Sequence, residues 1–250
     1  MNKIHKTAYI SKQVIIGENN IIGQNVIIDG NVEIGDNNII GPNSVLIKNL
    51  KIGSNNHFHG SISIGSVGEM GTKGDTFLDN GLVEIGSNNT FREFITINSP
   101  VRRESTKVGN NGYFMARCHI PHDAAIGDFV TMATNSIIGG GCIVNDYAYL
   151  GLGSITHQWL EIGKYAMVGM QSVNTKDVPP YCIVVGIPSM ISGINKIGLL
   201  RRGFNEELIS EADLELRTLW KQTNKIQNTI LAEIMEFSQR NLNCIKKFSI

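Results

Sequence analysis

His122 and Asp123 stand side by side in Cys118-His-Ile-Pro-His-Asp123, Gly140 lies eighteen residues after the histidine, and Gln158 another eighteen on. Each residue type has a place in the movement of an acyl group. An imidazole can take the proton of an acceptor hydroxyl as the hydroxyl attacks. A neighbouring carboxylate can hold the ring in the tautomer that leaves the attacking nitrogen bare. A backbone amide at glycine, with no side chain in the way, can donate to the oxyanion of a tetrahedral intermediate. The set works only if the fold stacks residues eighteen apart. On spacing alone, His122 is also open to the plainer reading of a solvated histidine on a polar coil.

Stacking of that kind is written into the chain. Counting every sixth residue over Ile10–Ile64, Ile85–Ile97 and Val108–Val168, 23 of 24 positions are apolar, Thr156 being the exception. A period of six fits neither the helical repeat nor simple strand alternation. It fits a chain that bends after each short strand and sends one side chain per hexad to an inner axis. Three hexads make a coil of eighteen residues, and a corner motif repeats at that interval: Gly17-Glu-Asn-Asn20, Gly35-Asp-Asn-Asn38 and Gly53-Ser-Asn-Asn56, with Gly86-Ser-Asn-Asn89 after an insertion. Glycine and asparagine tolerate left-handed backbone, so both suit corners. Stacked asparagines can also hydrogen-bond from coil to coil. A β-solenoid is therefore expected over residues 1–190, and a C-terminal α-helical region over 191–250.

Two excursions interrupt the count. Gly53 to Gly86 is one coil plus fifteen residues, which places a loop within 66–83; Gly86 to Gly109 is one coil plus five, which places a bulge near 99–104. Loops added to a rigid scaffold commonly carry function. Asp177-Val-Pro-Pro180 is expected to stop the coil, because proline cannot donate to a ladder. Beyond it, Asn205 followed by Glu206 and Glu207 reads as a helix start. Leu208, Leu216, Leu219, Trp220, Ile226, Ile230, Ile234 and Phe237 recur at helical spacing. Two or three helices are expected to cap the solenoid's open end.

Totals narrow the function. Charge balances at 22 against 22, which argues against nucleic acid as a partner. The four cysteines form no CxxC pair, so zinc-finger and disulfide-scaffold readings fail and a reducing cytoplasm is expected. No apolar run has signal-peptide or membrane-spanning length. A three-histidine zinc site of the γ-carbonic anhydrase kind is disfavoured. His119 and His122 span about 10 Å along an extended strand, so one strand does not easily offer both to one metal.

Four segments, Cys118-His-Ile-Pro-His-Asp123, Gly151-Leu-Gly-Ser-Ile-Thr-His-Gln-Trp159, Asp177-Val-Pro-Pro-Tyr181 and Leu200-Arg-Arg-Gly-Phe204, resemble the UDP-N-acetylglucosamine acyltransferase (LpxA) family in order and nearly in spacing. The similarity covers almost the whole chain. Hexapeptide repeats alone are shared by many acyltransferases, whereas the HxxHD, THQ and RRGF trio is specific. The resemblance implies a left-handed parallel β-helix and a cytoplasmic homotrimer with sites between adjacent prisms. It also implies transfer of a (3-hydroxy)acyl group from acyl carrier protein to a UDP-N-acetylglucosamine-like sugar in lipid A synthesis, with no cofactor and no metal.

The same resemblance makes His122 the general base, Asp123 its partner and Gly140 the oxyanion donor. Lys73, His119, His157, Gln158, Asn195, Arg201 and Arg202 fall to substrate binding. Met170 falls where the family's acyl channel ends, glycine there leaving room and methionine filling it. An outward-facing His122 would be desolvated by the wall of a neighbouring prism. Three departures touch the acceptor: Gly141 where the family usually carries another histidine, Ile197 where it carries glutamate, and a longer loop at Ser66-Val-Gly-Glu-Met-Gly-Thr-Lys-Gly-Asp75. A CoA-dependent O- or N-acyltransferase acting on another nucleotide amino sugar is the alternative they leave open.

Overall fold

A computed structural model describes residues 1–69, 81–219, 228–241 and 243–245. Strands of two to five residues stack in three faces, with eleven, nine and eight strands among the described residues. Within the coils pairing is parallel, with eighteen-residue register wherever no excursion intervenes: Ile39 pairs with His57, Tyr113 with Thr131 and Ile137 with Ile155. The hexad residues form the axis. Leu46, Phe58, Ile64, Phe91, Ile97, Phe114, Ile120, Met132 and Leu150 are wholly buried. Phe58, Phe91 and Phe114 stack with centroids 4.8 Å apart, the spacing of the strands that carry them. Thr156, the one polar hexad residue, accepts a hydrogen bond from buried Asn174 Nδ2 at 2.9 Å.

The coil winds left-handed, against the usual hand of parallel crossovers, and the corners make that possible. In each Gly-x-Asn-Asn motif the third residue is left-handed, with φ of +57° at Asn19 and Asn37, +60° at Asn55 and +62° at Asn88. The glycine has a different task from the one its type suggests. Its φ is ordinary, but a Cβ at Gly17, Gly35, Gly53 or Gly86 would lie 2.6–2.9 Å from the backbone of the next coil's glycine. The fourth residue turns inward and links coils: Asn38 N donates to Asn20 Oδ1 at 2.7 Å, Asn38 Nδ2 to Gly53 O at 3.0 Å, and Asn38 Oδ1 accepts from Asn56 N at 2.8 Å.

The first excursion leaves after Ser66 and ends at Leu82; the second leaves after Asn98 and ends at Ser105. Pairing then resumes across each gap, with Val83 on Leu50 and Lys107 on Glu84. The Pro179-Pro180 pair does not stop the coil as expected. Strand Cys182–Val185 still stacks in parallel on Met167–Val168, then turns back antiparallel with Met190–Ile194. The prolines sit in the turn between Val178 and that strand, where no ladder donor is needed.

Three helices follow among the described residues: α1 (Lys196–Leu200), α2 (Glu206–Leu219) and α3 (Thr229–Arg240). Asn205 Oδ1 caps α2 by accepting from Leu208 N at 3.0 Å. Ile209, Ala212 and Leu216 from α2 and Ile230, Leu231 and Ile234 from α3 join the same buried core as Val184, Ile191 and Ile194. Trp220 and Ile226 lie outside the described residues. No helix among the described residues is long and apolar enough to cross a membrane.

Candidate active site

His122, Gly140 and Gln158 each follow a strand of the second face: His119–Ile120, Ile137–Ile138 and Ile155–Thr156. Backbone bonds lock them into one column, Gly141 N to His122 O at 3.0 Å and Trp159 N to Gly140 O at 2.9 Å. The His122 ring lies directly over Gly140. A Cβ at 140 would sit 2.6 Å from both Cε1 and Nε2, so only glycine leaves that nitrogen its place. On its other edge, His122 Nδ1 pairs with Asp123 Oδ2 at 2.7 Å. His122 Nε2 and the Gly140 N–H have no hydrogen-bond partner among the described residues. A proton acceptor and an amide donor on neighbouring coils are thus both left unengaged among the described residues.

Asp123 is fully buried, at a left-handed corner with φ +64°. Its Oδ1 accepts three successive backbone amides, from Val101 at 3.0 Å, Arg102 at 2.9 Å and Arg103 at 2.7 Å. Its own N–H donates to Thr106 Oγ1 at 2.9 Å. Burial works to raise this carboxyl, but His122 and the three amides outweigh it and hold it below the usual aspartate range. A charged Asp123 fixes the His122 proton on Nδ1 and leaves Nε2 to accept. These amides come from the second excursion. Its place was legible as five extra residues, whereas the direction of its N–H groups has no signature in residue type.

The covering of His122 departs from expectation. It is only 8% exposed within one chain, with no neighbouring wall. Gly68 of the first excursion and Val101 of the second pack close to it. Gly68 packs so closely that a Cβ there would fall 2.8 Å from His122 Cβ. Its segment is pinned by Ser99 N to Ser66 O at 2.8 Å and Asn98 Nδ2 to Val67 O at 2.7 Å. His119, on the preceding strand, bonds through Nδ1 to Thr96 Oγ1 at 2.7 Å. Burial pushes its pKa down, aided by His122 and opposed by Glu69, which favours the neutral ring. His157 and Gln158 are exposed at the far end of the column.

Other expected residues lie elsewhere. Arg201 and Arg202 line a groove of about 580 Å³ beside the first face, with Tyr147, Tyr149, Tyr165 and Ile197. Arg202 Cζ lies 4.8 Å from the Tyr147 ring centroid, over a ladder in which Phe129, Tyr147 and Tyr165 repeat every 4.7 Å. A single prism therefore does not bring the arginines to the His122 column. Asn195 lines the groove with its side chain committed to the fold: Oδ1 accepts from Gly198 N at 3.1 Å and Nδ2 donates to Tyr165 O at 2.9 Å. Met170 is 72% exposed, in a separate groove of about 400 Å³ with Leu152 and Gln171. Gly141 has φ +72°, and a Cβ there would enter the Trp159 ring, so the tryptophan occupies the space a side chain at 141 would claim. Lys73 lies outside the described residues. Among the described residues no three His, Cys, Asp or Glu side chains gather as metal ligands.

Comparison with known proteins agrees with this architecture. Residues 177–248 match the family profile described as "Udp N-acetylglucosamine O-acyltransferase; Domain 2", and residues 13–48 match "Bacterial transferase hexapeptide (six repeats)". The acyl-[acyl-carrier-protein]–UDP-N-acetylglucosamine O-acyltransferase of Thiobacillus denitrificans is 36% identical over 146 residues, 58% of this chain and 57% of the relative. That of Janthinobacterium is 33% identical over 153 residues, 60% of this chain and 58% of the relative. The chain thus spans somewhat under three fifths of these curated relatives in the matched segments. The crystal structure of LpxA, a UDP-N-acetylglucosamine acyltransferase from Bacteroides fragilis, superposes with a TM-score of 0.84 at 32% identity, covering 97% of this chain and 99% of that one. The Moraxella catarrhalis UDP-N-acetylglucosamine O-acyltransferase gives 0.80 at 29% identity, with 95% and 91% covered. A relative above 30% identity, matched over 97% of this chain and 99% of its own, places the chain in the UDP-N-acetylglucosamine O-acyltransferase family.

Proposed function

We propose that the protein is a cytoplasmic acyltransferase of lipid A biosynthesis. It moves a (3-hydroxy)acyl group from acyl carrier protein to a UDP-N-acetylglucosamine-like sugar, with His122 as general base. The observation that carries this reading is that the His122 ring packs over Gly140, with Nδ1 anchored to a charged Asp123 and neither Nε2 nor the Gly140 N–H engaged by another described residue. The acceptor hydroxyl gives its proton to Nε2 as its oxygen forms a bond to the thioester carbonyl carbon. The carbonyl π pair moves onto oxygen, where the Gly140 N–H stabilises it. Collapse breaks the C–S bond, and the departing thiolate takes the proton back from Nε2. An ester and a free thiol result, with no cofactor and no metal.

His119, which burial favours in its neutral form, and His157 and Gln158 would frame the acceptor around the column. Arg201 and Arg202 offer forked donors to phosphate, supplied by a neighbouring prism in a homotrimer. Lys73 is a further substrate-binding residue in this reading. Met170 ends the acyl channel: a longer chain gains about 0.8 kcal/mol per buried methylene until it collides with the thioether. In this reading the 1–190 solenoid carries the chemistry and the 191–250 region carries substrate contacts. Two observations favour an altered acceptor, an amino sugar acylated on nitrogen or served by CoA: Trp159 fills the place beside Gly141, and Ile197 faces the groove at 66% exposure.

Mass spectrometry of products, with acyl carrier protein and CoA donors offered against several UDP-sugars, separates these readings. In the same assay His122→Ala lowers turnover by about 10²–10⁴ while the protein stays folded. Retention of more than about a tenth of wild-type turnover, against that expected range, would remove His122 as the base.

A further inference from the structure

The His122–Asp123 pair depends on a surface excursion, and surface excursions are ordinarily the most mobile part of a fold. Three amides in a row reach Asp123 Oδ1 only if residues 101–103 hold one irregular backbone course. Something must fix that course. Val101 offers an apolar side chain; the Arg102 guanidinium also lies near Trp159, 5.7 Å from its centroid, but makes no bond to Asp123.

Arg103 is different. Its N–H makes the shortest of the three bonds to Oδ1, at 2.7 Å. Its Nη1 donates to the Asp123 backbone carbonyl, also at 2.7 Å. Its guanidinium lies 5.3 Å from the centroid of Trp159. Trp159 in turn donates its N–H to Gly140 O at 2.9 Å and lays its ring against Gly141. One side chain therefore grips the corner that carries Asp123 and leans on the residue that holds the Gly140 peptide.

We infer that Arg103 is a positioning residue of the acyl-transfer site, bracing the 101–103 amide nest against Asp123 and Trp159 so that His122 and the Gly140 amide keep their relative geometry. The inference rests on the acyltransferase reading above for its kinetic consequence, but not for its structural one. Arg103 touches neither reacting atom. Without its guanidinium the 101–103 course keeps its three amide bonds and the Arg102 contact with Trp159. It loses the only side-chain bond to the Asp123 carbonyl among the described residues, so the carboxylate is held less firmly and the imidazole is free to swing off Gly140. Misplacement of a catalytic group by about 1 Å can cost on the order of 10² in rate. The loss belongs to the chemical step, since no substrate contact is removed. Lysine keeps a cation able to donate to the Asp123 carbonyl but lacks the planar face that packs on tryptophan, so it restores only part.

The test compares wild type, Arg103→Met and Arg103→Lys in the full chain. Three measurements are made: kcat and KM for both substrates, the thermal midpoint, and the low-field proton resonance of the His122 Nδ1–H, assigned by its absence in His122→Ala. Arg103→Met is expected to lower kcat about 10–10²-fold with KM nearly unchanged, and to broaden or shift the resonance. Arg103→Lys is expected to recover part of both. Wild-type kcat with an unaltered resonance in Arg103→Met overturns the inference, as does a rise in KM at constant kcat. If Arg103→Met does not fold, Arg103→Lys decides alone: a folded protein with reduced kcat and a perturbed resonance supports the brace, and wild-type values overturn it. The resonance is read without substrate. It still decides the brace if wild type turns over none of the donor and acceptor pairs, an outcome that would sink the acyltransferase reading instead.

Discussion

An alanine at 140 would place its methyl 2.6 Å from Cε1 and Nε2 of His122, well inside the roughly 3.5–4.0 Å at which nonbonded carbons rest. The ring would have to leave the column, and Asp123 would have to follow it or release Nδ1. Gly140→Ala is therefore expected to lower kcat by about 10²-fold or more, the scale of a lost oxyanion donor. The thermal midpoint should move little, because the ring can yield toward the excursions. Wild-type kcat in this variant, measured with a folded protein, would mean that the imidazole does not rest on Gly140 during turnover. Asp123 adds a pH dependence. Its folded pKa lies below the ordinary aspartate value, so the charged form is favoured by the fold. That stabilisation is fully present above the unfolded pKa and is lost as pH falls through the lowered folded value. Asp123→Asn should thus be less stable than wild type at neutral pH, with the gap in urea midpoint narrowing in strong acid; a gap independent of pH would argue against a charged Asp123. At this scale His122, Asp123 and Gly140 were legible because a column is arithmetic once the coil length is known. The amide nest and Arg103 were not, since an irregular backbone course leaves no periodic trace.

Elements were legible wherever a pattern repeats and opaque where it occurs once. The hexads gave the axis, and the two count errors located both excursions. Asn205 announced its cap by type and by the acidic residues that follow. The Pro179-Pro180 pair misled, because proline forbids a ladder bond only where one is required, and here it occupies a turn. Asn195, assigned to substrate binding by the resemblance, has both ends of its amide committed to tying α1 to Tyr165. The last turn of α1 delivers Arg201 and Arg202 to the groove, exposed and facing the aromatic ladder. Arg202 rests on Tyr147 and Phe129 at 4.8 and 5.7 Å, a stack that leaves its guanidinium edge free to donate. Arg202→Ala should raise KM for the nucleotide sugar about tenfold or more, consistent with losing a charge-assisted hydrogen bond worth about 1.5–3 kcal/mol. The thermal midpoint should stay close to wild type. Unchanged KM for both substrates would leave the arginine pair as surface charge.

The whole prism shows an asymmetry that no single element explains. Outward residues of the first face include Ile21, Ile39, Tyr113, Tyr149 and Met167; those of the second include Tyr9, Ile27, Val45, Ile137 and Ile155. Ile21 and Ile27 are each 41% exposed, Ile155 47% and Tyr9 57%. The third face presents Glu33, Lys51, Glu84, Lys107 and Glu161 in its middle and last coils, alongside Ile15, Ala125 and Ile143, with Lys107 paired to Glu84 at 3.0 Å. Exposed apolar residues of this kind favour contact surfaces, although His57, Thr90 and Thr131 interrupt them on the first face and Ser63, Thr96 and His119 on the second. In the homotrimer proposed above, three prisms would stand around one axis, each packing its first face on its neighbour's second in a ring that closes. In that proposed ring the arginine groove of one prism would serve the His122 column of the next. Ile27→Lys puts a charge into that contact without touching either site. In sedimentation equilibrium the variant should weigh one chain where wild type weighs three, with its circular dichroism retained and its turnover lost together with the assembly. Lys51→Ala, on the charged face, should change neither mass nor turnover. A monomeric Ile27→Lys protein that still turns over at the wild-type rate would show the site to be complete within one prism. The arginine groove would then need another explanation.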